Sequence, residues 1–107
     1  MSSLKRADSD NYNRQQPPKR VLVMTAVSAG REAVLRGLGN ERNTDVILAG
    51  VGAVSAAVHT TKVLATAEYG LVICAGIGGG FPGRAEIGSI VVANEIVAVD
   101  LGAEMSE

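Results

Sequence analysis

The sequence predicts an α/β fold: a mostly parallel sheet with flanking helices. Three observations point there. Compact apolar runs alternate with longer segments of helical spacing, the pattern of βαβ units joined by right-handed crossovers. The apolar weight lies in Val, Ala, Ile and Leu, the usual filling of a sheet covered on both faces, while Tyr12, Tyr69 and Phe81 are the only aromatic residues. Glycines gather where the apolar runs end, as in "AGVG" at 49–52 and "AGIGGGFPG" at 75–83.

The elements follow in order. "RVLVMTAV", from Arg20, is a β-branched run and reads as a buried strand over 20–26. In "AGREAVLRGLG", Ala33, Val34, Leu35 and Leu38 have helical spacing, which predicts a helix over 30–38 with Gly39 as its stop. Asn40 to Thr44 is a polar loop. "DVILAG" predicts a strand over 45–50. "AVSAAVHTTKVLATA" predicts a small-residue helix with an apolar face over 53–67. "GLVICAG" predicts a third strand over 70–76. "GSIVVANEIVAVD" predicts a long fourth strand over 88–100, with a break at Asn94.

Composition bounds the function. At 107 residues, 47% apolar and 20% charged, the chain reads as one soluble globular domain. Its net charge of −1 argues against a nucleic-acid partner. The charge is uneven: Lys5, Arg6, Arg14, Lys19 and Arg20 face only Asp8 and Asp10 in the first 20 residues, and the remainder is acidic. Residues 1–19 are rich in Ser, Asn, Gln and Pro, a composition that does not offset ordering entropy, so a disordered basic tail is expected there. No apolar h-region follows its charges, so it is not a secretory signal. No apolar run approaches membrane-spanning length, so no membrane partner is expected. The single cysteine, Cys74, excludes an internal disulfide and fits a reducing, cytoplasmic setting. Set in an apolar strand with no cation nearby, it reads as packing.

"GVGAVS", 50–55, follows a strand and opens a helix, as a dinucleotide fingerprint does, but Ser55 stands where the third glycine belongs. The next strand ends at Cys74 without an acidic residue for a ribose. Tight strand-to-helix packing also calls for small residues, and no cofactor is expected. "AGIGGGFPG" lacks the Gly-Lys-Ser/Thr ending of a phosphate-binding P-loop. A turn with unusual dihedrals and a loop that lets a ligand approach bare backbone both account for it. The entropic cost of Gly78, Gly79 and Gly80 beside a strand favours the ligand. His59 has no Asp, Glu or Cys at metal spacing, so it reads as a surface or packing residue and no metal is expected. No nucleophile–base pair stands out, so no catalytic residue is assigned. Parallel sheets bind ligands at the carboxyl ends of their strands, where these glycines lie.

A resemblance extends this reading. "VLVMTAVSAGREAVLRGL", "GVGAVSAA" and "LVICAGIGGGFPGRAEIGSIVVANEIVAVDLGAE", in that order, resemble the nucleoside phosphorylase and nucleosidase superfamily, and within it the futalosine hydrolase branch. "AGIGGGFPGRAEIGSIVVA" is the specific part. The resemblance runs from Arg20 to Glu107, so residues 20–107 are expected to be the amino-terminal part of a nucleosidase-like α/β domain. It implies hydrolysis of the N-glycosidic bond of futalosine with release of hypoxanthine, a step of menaquinone biosynthesis. The partner it implies is a small-molecule purine nucleoside, and the complete protein is expected to be a homo-oligomer. It places substrate contacts at Val27, Val51, Ile77, Gly78 and Gly79.

Two departures from the pattern matter. Family members continue through a second half that carries the Asp assisting the leaving base, so this chain is expected to be a fragment, inactive alone. Relatives also carry a water-activating glutamate four residues after the alanine that ends the first strand. That alanine is Ala26 here, and the residue four further on is Gly30. Glu32 lies about 200° around a helix from it. A non-catalytic chain with half a pocket therefore stands as the alternative. The phosphorylase branch is less favoured, because no arginine precedes the glycine loop and only Arg31 lies near the first strand's end.

Overall fold

The computed structural model describes residues 19–99 and Gly102. The elements run β1 (Arg20–Thr25), α1 (Ser28–Leu38), β2 (Thr44–Leu48), α2 (Ala53–Thr66) and β3 (Tyr69–Cys74). The three strands are all parallel in the order β2-β1-β3. The expected tail over 1–19 lies outside the described residues apart from Lys19, which is irregular.

Alternation along β1 decides what each helix covers. Leu22 and Met24 point to one face and form the core with Ala49, packed by Ala56 and Val63 of α2. Thr60 lies between those two along the helix, and its hydroxyl meets the Met24 sulfur. The spacing 56, 60, 63 is one helical stripe. Thr25 points to the other face, where α1 packs: a Cβ added at Gly30 would lie 3.9 Å from the Thr25 Cβ. The buried Thr25 hydroxyl donates to the Ile47 carbonyl at 2.9 Å. Neighbouring strands β1 and β2 thus send their helices to opposite faces.

The expected elements are present with small shifts at their ends. α1 begins at Ser28, two residues before the expected start, because the chain turns directly from the extended Val27. Its stop is the expected one: Gly39 takes φ 60° and its N–H returns to Leu35 O. β2 ends at Leu48, since Gly50 takes φ 83° and leaves extended geometry. β1 and β3 pair with a bulge, Arg20 opposite Tyr69 and Val21 opposite Leu71. Gly70 is the extra residue, and it places Tyr69 and Val72 on the same face although they are three apart.

A three-strand network spans the amino-terminal edge of the sheet. Arg20 donates to both carboxylate oxygens of Asp45, the Nε bond being 3.0 Å, and Tyr69 Oη donates to Asp45 Oδ2 at 2.7 Å. The hydrogen bond from Arg20, then that from Tyr69, holds the Asp45 carboxyl below the usual carboxylate range. The bond to Asp45 in turn raises the Tyr69 hydroxyl above its ordinary value.

Two expectations need correction. Cys74 is exposed rather than packed in a core, because among the described residues β3 is an edge strand paired on one side only. The fourth strand expected over 88–100 is absent over its described residues, 88–99, which are irregular. A strand exists only by pairing, and an apolar pattern states what a segment would bury without supplying its partner. Ile90, Val92 and Ile96 consequently stand exposed.

The chain divides into two compact units, Met1–Ile77 and Gly78–Glu107. The second is built on two turns. Arg84 N–H returns to Phe81 O at 3.0 Å, with Pro82 and Gly83 central and Gly83 at φ 80°. That is the residue order of a type II turn. Ser89 N–H returns to Glu86 O at 3.0 Å around Gly88, at φ 91°.

Candidate functional site

The carboxyl edge of the sheet is defined by backbone bonds that continue one step past the strands. Ala49 N–H donates to Thr25 O at 2.7 Å, and Ala75 N–H donates to Met24 O at 2.9 Å. The register sets Thr25 opposite Leu48 and Met24 opposite Cys74, so the three strands end within one residue of one another. Val27 lies two residues beyond Thr25, Val51 three beyond Leu48 and Ile77 three beyond Cys74, so all three emerge from the same edge. All three are exposed, Val51 at 74% and Ile77 at 105%. Large apolar side chains left in solvent at strand ends are available to a ligand.

The turn after β2 has a defined internal structure. The Ser55 hydroxyl donates to the Ala49 carbonyl at 2.8 Å. Gly50 at φ 83° and Gly52 at φ 95° flank Val51 in the left-handed region. A Cβ at Gly50 would overlap the Ser55 Oγ. The glycines of "GVGAVS" are thus required by the turn, and Ser55 in the third position closes it. This accounts for the motif by tight packing, without a dinucleotide. His59 Nδ1 lies 2.8 Å from the Ser55 carbonyl oxygen, and with that nitrogen protonated the exposed ring donates to it. His59 is a surface residue, as expected.

Gly78 and Gly79 belong to the second unit. Neither has a positive φ, and a Cβ at either would meet nothing within 4 Å. Gly80 differs: its Cβ would come 2.7 Å from the Ala85 backbone oxygen, so the turn itself forbids a side chain. Gly83 is likewise accounted for by its turn. The unexplained glycines of the loop are therefore Gly76, Gly78 and Gly79, the last two among those singled out for ligand contact.

Charge at the carboxyl edge of the first unit is sparse. Arg31, near the end of β1, directs its Nε to the Val46 carbonyl at 3.4 Å. Glu32 is exposed, and it lies about 200° around α1 from Gly30, which faces Thr25. Among the described residues no group of three His, Cys, Asp or Glu could hold a metal ion. Among them, too, no helix is long and apolar enough to cross a membrane. Sequence reasoning missed two features, the Ser55–Ala49 bond and the Arg20–Asp45–Tyr69 network. A hydroxyl five residues past a strand-end glycine, and opposite charges at the starts of two strands, were the available signals.

The chain is 42% identical to a futalosine hydrolase of Streptomyces coelicolor in an alignment of 107 residues that takes in 81% of the chain. It is 45% identical to a futalosine hydrolase of Acidothermus cellulolyticus in an alignment of 95 residues that takes in 77% of the chain. The chain resembles the futalosine hydrolases. The match is partial, since the chain spans 46% of the first relative's length and 38% of the second's. A 5′-methylthioadenosine/S-adenosylhomocysteine nucleosidase of Marinomonas is 35% identical over 77 residues, 66% of the chain and 33% of that relative. No family model and no solved structure matches the chain. The parallel α/β sheet fits a phosphorylase/hydrolase-like fold shared with these relatives, as the resemblance implied.

Proposed function

We propose that the protein carrying this segment hydrolyses the N-glycosidic bond of futalosine, a purine nucleoside with a 5′ substituent, releasing hypoxanthine for menaquinone biosynthesis. The observation that carries the reading is the 42–45% identity to two futalosine hydrolases over about four fifths of the chain. The reaction passes through an oxocarbenium-like transition state, in which a carboxylate activates water and an acid protonates the departing purine. Within this reading, Val27 and Val51 line the ribose and 5′ substituent, and Ile77, Gly78 and Gly79 let backbone approach the ribose and base. The described residues contribute binding surface, and no catalytic group is assigned to them. Homo-oligomeric assembly and a cytoplasmic setting belong to the same reading.

The test uses the longest protein that carries the segment. Incubated with futalosine, it releases hypoxanthine, and its Gly79→Val variant binds nucleoside far more weakly. Because a side chain at Gly79 meets open space and ordinary backbone geometry, that variant folds as the parent does. Unchanged nucleoside affinity in Gly79→Val refutes the loop's role, and absence of hypoxanthine release refutes the reaction.

A further inference from the structure

We infer that Ser55 is a positioning residue: its hydroxyl clamps the turn after β2 and so holds Val51 in place for the nucleoside. This rests on the nucleoside reading above. The turn is short and internally permissive, because Gly50 and Gly52 on either side of Val51 have no Cβ to restrict them. Nothing in their chemistry selects one conformation. Val51 is 74% exposed, so packing does not hold it either. What spans the turn is one bond, from Ser55 Oγ to the Ala49 carbonyl at 2.8 Å.

Both ends of that bond are fixed. Ala49 is 2% exposed, lies in the core with Leu22 and Met24, and is bonded through its N–H to Thr25 O. Ser55 sits in the first turn of α2, one residue before Ala56, which packs on the same core. The bond thus ties the residue just past the end of β2 to the first turn of the helix and encloses residues 50–54. It also satisfies a carbonyl next to the core that the sheet leaves beyond its ladder. The side of Gly50 is closed as well, since the Ser55 Oγ fills the space a Cβ would take. Val51 is then presented at the carboxyl edge with its backbone fixed before any ligand arrives. Such preorganisation lowers the ordering cost of binding without touching the reacting bond.

The experiment compares the parent, Ser55→Ala and Ser55→Thr in the longest protein that carries the segment. Amide hydrogen exchange reads the clamp without ligand, and futalosine kinetics read its consequence. In Ser55→Ala, exchange at Ala49 and Ala56, whose N–H groups bond Thr25 O and Gly52 O on either side of the turn, rises about tenfold while Leu22 to Met24 stay protected. The futalosine KM rises about three- to tenfold with kcat unchanged, the signature of lost uniform binding. Ser55→Thr, which keeps the hydroxyl, restores both. Unchanged exchange at Ala49 and Ala56 in Ser55→Ala overturns the clamp. Faster exchange with unchanged KM overturns its role in binding. A fall in kcat at constant KM also overturns the inference. A parent that processes no futalosine overturns the proposed reaction instead, and the exchange comparison alone then decides the clamp.

Discussion

At Gly50 a single hydrogen atom in place of a methyl decides the path of the chain. Its φ of 83° and the Ser55 hydroxyl beside it both exclude a side chain. Gly50→Ala therefore costs about 2 kcal/mol, from left-handed strain together with the displaced Ser55 bond. A urea titration of the variant checks this, and an unchanged midpoint at equal slope contradicts it. Gly30 is the opposite case. A Cβ there makes ordinary contact with Thr25 at 3.9 Å, and its φ is not positive. Gly30→Glu is thus accommodated, and it stabilises α1 by about 0.5 kcal/mol through helix propensity. It also sets a carboxylate on the side of α1 that faces the end of β1. If that position carries the water-activating base of the relatives, hypoxanthine release rises by roughly 10²- to 10⁴-fold in the longest protein carrying the segment. Equal rates for parent and variant show that the base lies elsewhere. At this scale the sequence was partly legible. Gly39 announces a helix stop, but Ser55 shows only as a missing glycine, because a bond between a side chain and a distant carbonyl leaves no periodic trace.

Elements were more legible than their edges. Three strands and two helices lie within one or two residues of where apolar periodicity places them, since period and burial are local properties of the chain. The fourth strand failed because "GSIVVANEIVAVD" has the composition of a strand but no described partner, and pairing is not a local property. The bulge at Gly70 was invisible for the same reason, and with it the alignment of Tyr69 with Arg20 and Asp45. That network links the starts of all three strands, and its pH dependence has a definite sign. The Asp45 carboxyl is held below its ordinary value by Arg20 and Tyr69. Its contribution is therefore present above the unfolded carboxylate value, about 4, and is lost as pH falls through the lower folded value. Tyr69 is raised, so its contribution is present below about pH 10 and is lost as pH rises through the higher folded value. Asp45→Asn flattens both limbs of a stability–pH profile. A variant profile parallel to that of the parent, at acid and alkaline pH alike, contradicts the assignment.

For the molecule as a whole, three parallel strands end within one residue of one another, and Val27, Val51 and Ile77, two or three residues past those ends, stand exposed at one edge. The same architecture leaves β3 paired on one side, with Leu71, Val72 and Ile73 partly in solvent. An open edge of this composition seeks a partner. The 107 residues expressed alone therefore self-associate with rising concentration in sedimentation. A monomer with a sharp, reversible thermal transition is the contrary result. The central claim, that the carboxyl edge of the sheet receives a purine nucleoside, is tested most directly by amide chemical-shift mapping during a futalosine titration of the longest protein carrying the segment. Saturable shifts are expected at Val27, Val51, Gly52, Ile77, Gly78 and Gly79, with Arg20, Asp45 and Tyr69 at the opposite edge unmoved. Shifts centred on Arg20, Asp45 and Tyr69, or none at the six, would contradict it.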